Sequence, residues 1–142
     1  MITKNGIAGA ITQSGAQIKS VLVKTAISAG LPIKLDATTG EAKELASGDD
    51  LNDFFGIIVR DPAPFQRSNA GSYDGALDRG FIQVPIKTGE SPKRGEAVYY
   101  DPATHQFTTT SASMIQIPAK WAANGQASGC AEIEVLPNFP KS

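Results

Sequence analysis

Short apolar stretches cut by polar turns recur along the whole chain. Residues 18–24 (IKSVLVK) are rich in β-branched side chains, and residues 31–35 (LPIKL) follow the break at Ala29-Gly30. Both read as strands, and residues 36–40 (DATTG) have the composition of a tight turn. Residues 41–46 fit either a short strand or one helical turn, and residues 47–53 (SGDDLND) are polar and turn-like. Residues 54–59 (FFGIIV) form a continuous apolar run, the pattern of a strand buried on both faces. In residues 80–87 (GFIQVPIK), Ile82, Val84 and Ile86 point one way, with Phe81, Gln83, Pro85 and Lys87 the other. Pro85 has no N–H for a ladder, so this strand is expected at an edge or a bulge. Residues 96–100 and 106–109 flank Asp101-Pro-Ala-Thr-His105 as a hairpin with a proline-containing turn. Residues 114–117 form another short candidate. Residues 131–135 alternate Ala131, Ile133 and Val135 inward against Glu132 and Glu134 outward.

This amounts to eight to ten short strands and no helical stripe long enough for a βαβ unit. The expected fold is all-β: a small barrel or sandwich of short antiparallel strands, with one short helix at most. Residues 1–17 are too poor in large apolar groups to form a core element alone. They read either as a loose terminus or as an extended N-terminal arm, leaving residues 18–142 as the β domain. Fully extended, that arm reaches at most about 55–60 Å. Residues 61–79, with Pro62, Pro64, Gly71 and Gly75, read as a long connection. It is expected either to meet a partner or to pack over the barrel mouth.

The 142 residues suffice for one domain, with 41% hydrophobic and 19% charged residues. Net charge is −1 and the densest basic spot is Lys93–Arg94. A duplex-binding face needs several clustered cations, so direct nucleic-acid binding and a polybasic membrane surface are not expected. No apolar run approaches the ~20 residues that span a bilayer. The N-terminal residues lack a signal-peptide pattern. The single cysteine, Cys130, excludes an intrachain disulfide framework, and maturation in a reducing cytoplasm is expected.

Reactive groups are few, and no enzyme activity, metal or cofactor is expected. The one histidine, His105, falls at a hairpin tip, a poor place to hold a general base. Cys130 has no cationic neighbour in sequence to lower its pKa, and reads as a small buried hydrophobe. Asp49, Asp50 and Asp53 match no calcium loop and supply too few oxygens, so they read as solvated turn carboxylates. No phosphate-binding glycine loop occurs. Trp121 reads as core ahead of recognition. Tyr99 and Tyr100 are adjacent in a strand, so one of them must face solvent, a partner or a second layer.

Three stretches carry a family resemblance. The first is Phe55-Gly-Ile-Ile-Val-Arg60, with the loop containing Tyr73. The second is Ala76-Leu-Asp-Arg-Gly80-Phe-Ile-Gln-Val, followed by Lys93-Arg-Gly95-Glu-Ala-Val98-Tyr99-Tyr-Asp101. The third is Ile117-Pro-Ala-Lys-Trp121, leading to Gly129-Cys-Ala-Glu-Ile-Glu-Val135. In order and spacing the chain, over roughly residues 18 to 136, resembles the cement (decoration) proteins of tailed-phage capsids. The resemblance implies a non-enzymatic virion protein on the outer capsid surface, bridging neighbouring major capsid proteins and assembled in the host cytoplasm. It also implies a homo-oligomer, a trimer first and a dimer second. Interface candidates are Ile2, Ile7, Ile11, Phe65, Tyr73 and Tyr100. The alternative is another virion binding module, such as a tail or host-attachment component that grips glycans through Trp121 and Tyr100.

Overall fold

The computed structural model of the chain describes residues 8–11, 16–23, 27–59, 72–126 and 129–136, the side chains of 72–74 excepted. The strands are β1 (Gln17–Val23), β2 (Pro32–Leu35), β3 (Glu41–Glu44), β4 (Gly56–Ile58), β5 (Ser72–Pro85), β6 (Ala97–Asp101), β7 (Gln106–Thr108), β8 (Ile115–Trp121) and β9 (Cys130–Val135). Among the described residues one 3-10 turn, Leu51–Asp53, precedes β4. The all-β expectation holds, and residues 41–44 resolve as a strand.

The pairings close two rings on one shared strand. In the first ring β1 pairs β3, β3 pairs β2, β2 pairs β4, β4 pairs β5, and β5 returns to β1. Among the described pairings of this ring, β1–β3 is parallel and the others are antiparallel. In the second ring the antiparallel series runs β5, β9, β8, β6, β7. A parallel bridge between Phe107 and Ile86 brings β7 back to the end of β5. Closure matters because it leaves few free backbone edges.

β5 changes rings at Gly80. Arg79 pairs with β1, whereas Gly80 already pairs with Val135 of β9. Gly80 has φ +128, and a Cβ there would lie 2.9 Å from the Ala16 Cα. Both the backbone conformation and the close approach therefore require glycine.

One sequence expectation changes at this strand. Residues 72–79 were expected within a long connection, yet they form the first half of β5. Their polar, glycine-containing composition hides a strand that β1 covers on one edge and β4 on the other. Gly75 is part of that arrangement, since a Cβ there would sit 3.0 Å from the Ile18 side chain. Pairing inside a closed ring overrides weak local propensity.

Part of the N-terminal segment also meets β5. The Gly9 N–H donates to the Gln83 carbonyl at 2.7 Å, and the Gln83 N–H donates to the Ala10 carbonyl at 3.0 Å. Ile11 bridges Ile82, and β1 begins at Gln17. Gly9–Ile11 and β1 thus pair along the chain's own β5, while residues 1–7 and 12–15 of the segment read as a loose terminus or an extended arm lie outside the described residues.

Pro118 sits inside β8 without breaking it. The β6–β8 register moves from Val98↔Ile117 to Ala97↔Lys120, so Pro118 and Ala119 bulge out of the ladder. A bulge is the position where a strand tolerates a residue with no N–H. The core runs through both rings, from Val21, Val23 and Ile33 to Ile117, Trp121 and Ile133.

Candidate functional site

The most organised polar cluster bridges the two rings. Glu44 ends β3 in the first ring, and Tyr100 and His105 come from the β6–β7 hairpin of the second. The Tyr100 hydroxyl donates to Glu44 Oε2, and His105 Nδ1 meets the same oxygen. His105 takes a left-handed backbone conformation (φ 58) at the hairpin tip, and its ring reaches Glu44 at the end of β3. Burial, and then the Glu44 hydrogen bond and charge, push the Tyr100 phenol well above its ordinary value. It therefore stays protonated and acts as a donor.

Asp101, next to Tyr100, is equally engaged. It meets Lys87 Nζ at 2.7 Å and accepts from the Ala103 N–H at 3.0 Å and Thr104 Oγ1 at 3.1 Å. The Lys87 contact above all holds its carboxyl below the usual range, against a smaller opposing effect of burial. A shallow pocket of about 380 Å³ opens here, lined by Glu44, Leu45, Ala46, Asp101, Pro102 and His105 among others. Chemically the cluster fastens one ring to the other. The phenol is held in its unreactive form, and each carboxylate already holds protein partners.

The acidic trio is also occupied by local structure. Asp49 accepts from the Ala46 N–H at 2.8 Å and pairs with Lys34 Nζ at 2.8 Å. Burial raises its pKa, but those contacts together prevail and lower it. Asp50 and Asp53 form a reciprocal cap on the 3-10 turn. Among the described residues, no group of three or more His, Cys, Asp or Glu is placed to hold a metal ion. Cys130 is buried opposite Pro85, and burial pushes its thiol up, away from the reactive thiolate.

Of the interface candidates, Tyr100 is corrected. It is wholly buried, packs against Phe107 with ring centroids 5.1 Å apart, and offers no surface. Tyr99 is the outward member of the pair, half-buried. Ile11 is partly buried against the core. The Tyr73 backbone pairs with Leu22; its side chain, with Ile2, Ile7 and Phe65, lies outside the described residues. Trp121, 1% exposed, belongs to the core.

Sequence reasoning passed over one surface feature. β3 pairs with β1 only at Leu22 and Val23, so among the described residues Gln17–Val21 has no ladder partner on its second edge. Gln17, Ile18, Lys19 and Ser20 are all exposed, Ile18 at 46%. Four consecutive exposed residues in a strand-like sequence are the signature of an edge. That exposure becomes visible only with the fold.

Two closed β rings fused through one strand, stapled by a buried phenol and a carboxylate, define a small all-β structural module. The family model of the XM1 gp53 minor capsid protein matches residues 1–135. The chain belongs to that family of phage capsid proteins, and this membership carries a structural role in the virion. The fold is similar to that of a chain in the solved structure described as the capsid of Myoviridae phage XM1. The match has a TM-score of 0.76 and 16% sequence identity, over 94% of this chain and 91% of that one. No protein among those with curated functions matches the sequence.

Proposed function

We propose that the protein decorates the outer surface of a phage capsid and stabilises it by bridging neighbouring major capsid proteins, without catalysing a reaction. The observation that carries this reading is the family match over residues 1–135. The polar clusters described above agree with it, since each serves to join elements of the fold. The exposed edge of β1 supports a backbone-pairing contact, which adds a strand from a neighbour without needing special side chains. Assembly as a homo-oligomer, trimer before dimer, would multiply modest contacts into slow release. Ile2, Ile7, Phe65 and Tyr73 are the side chains proposed to meet neighbours, with Ile11 beside them.

The glycan-binding alternative loses its two named aromatics, because Trp121 and Tyr100 are both buried. The decisive experiment adds purified protein to undecorated shells and images them. Density over the junctions between capsid subunits is expected, and shells that remain bare would sink the proposal. A chain lacking residues 1–7 keeps Gly9–Ile11 on β5, and it is expected to fold normally but to occupy fewer sites. Unchanged occupancy would remove the N-terminal residues from the contact while leaving decoration standing.

A further inference from the structure

The loop between β8 and β9 contains Asn124-Gly125, the residue pair most prone to spontaneous deamidation in an unstructured chain, because glycine leaves the attacking nitrogen unhindered. We propose that Asn124 is a covalent ageing site that the fold holds in check by occupying both reacting groups. The reaction joins the Gly125 backbone nitrogen to Asn124 Cγ. As the N–Cγ bond forms, the Cγ–Nδ2 bond breaks and ammonia leaves. Water then opens the resulting succinimide at either carbonyl, giving aspartate or isoaspartate. No electrons are exchanged, and water is the sole co-reactant.

The structure constrains the first step at two atoms. The Gly125 N–H donates to the Pro92 carbonyl at 2.8 Å, so the nucleophilic nitrogen must give up this bond before losing its proton. The Arg94 N–H donates to Asn124 Oδ1 at 2.8 Å, which fixes the side-chain amide against the 92–94 segment. That donor also polarises the carbonyl under attack. The tie on the nitrogen outweighs this effect, because a nitrogen that keeps its proton does not attack. The surrounding loops are fastened further: Gly95 N–H to Trp121 O at 2.8 Å, and Trp121 N–H to Glu96 O at 3.0 Å. Gln126 Nε2 donates to Glu90 O at 2.6 Å and to Lys87 O at 3.2 Å, anchoring the residue just past the reactive pair. Asn124 itself is exposed, so water reaches the succinimide once it forms.

The reaction is thus gated by local opening of the 92–96 and 121–126 loops, well short of global unfolding. This inference is independent of what the protein binds. To test it, the intact folded protein and the same protein in concentrated urea are held at mildly alkaline pH. The Asn124 peptide is then followed by mass spectrometry and isoaspartate-specific methylation. Asn5-Gly6, the other such pair in the sequence, serves as the clock in urea. Conversion at Asn124 is expected to be at least about tenfold slower in the folded protein, equivalent to ~1.4 kcal/mol. Gln126→Ala is expected to speed conversion in the folded protein, with its circular dichroism unchanged. Folded protein converting as fast as the urea sample, or faster, would overturn the proposal. So would a folded Gln126→Ala protein ageing at the wild-type rate. Should that variant fail to fold, the wild-type comparison still decides.

Discussion

The two rings share a strand but are filled differently. The first is lined by aliphatic side chains, among them Val21, Val23, Ile33, Ile57, Ile58 and Leu77, and it brings backbones together over glycine. A Cβ at Gly56 would stand 2.9 Å from the Leu77 carbonyl oxygen. The second holds the largest fully buried side chains, Trp121, Tyr100 and Phe107. The first interior is thus filled by small and branched residues, and the second by aromatic rings that bring a polar group inside with them. Tyr100 satisfies its hydroxyl through Glu44, while the Trp121 Nε1 has no hydrogen-bond partner among the described residues. Aromatic filling contributes more area per residue and leaves a polar atom to be satisfied.

The largest effect is expected from Trp121→Ala, at about 3–5 kcal/mol of destabilisation, with Leu77→Ala in the other ring at about 2–5 kcal/mol. Both are to be measured by denaturant unfolding. Because β5 belongs to both rings, each variant should still unfold in one transition. Two separate transitions would mean that the rings are independent units. Tyr100→Phe comes next, at about 1–2 kcal/mol. It strips the donor from Glu44, which remains solvent-accessible and so recovers part of the loss through water. The phenol pKa is raised in the fold, so its contribution is full below the unfolded value of about 10 and is lost as pH rises past it. The wild type should therefore lose more stability above pH ~10 than Tyr100→Phe does.

The smallest effect is expected in acid. Asp49 in the first ring and Glu90 in the second have lowered pKa values, because Lys34, Thr108, Thr109 and backbone N–H groups outweigh burial. Depressed carboxylates contribute stability above their unfolded values, and that stability is lost as pH falls through the folded ones. Stability should therefore stay level down to pH ~4 and decline below it. Asp49→Asn and Glu90→Gln should each flatten part of that decline.

Most strands were legible because their chemistry is local. β9 alternates cleanly, β2 and β3 are separated by an Asp36-led turn, and the β6–β7 hairpin announces itself through Asp101-Pro102. The Asp36 carboxylate caps the Thr38 and Thr39 N–H groups at 2.8 and 3.0 Å, which is the turn chemistry the sequence suggested. The first half of β5 was hidden because its stability comes from neighbours on both edges. The seat of residues 8–11 was hidden too, because it rests on a close approach to Gly30, where a Cβ would lie 2.9 Å from the Ala8 Cβ and 3.1 Å from the Gly9 nitrogen. The Glu44 cluster was invisible for a different reason. Tyr100 and His105 stand 56 and 61 residues away in the chain, and nothing in their local sequence points to β3.

The fourteen residues of β5 carry a mechanical consequence. Were the rings joined by a tether, a pull on one would be spent straightening it. Here the load enters continuous backbone, up to roughly 45 Å of it, already clamped along both flanks. Strain at one end must then either shear several ladders together or pass undiminished to the other. A body wired in this way behaves as a rivet and not as a hinge.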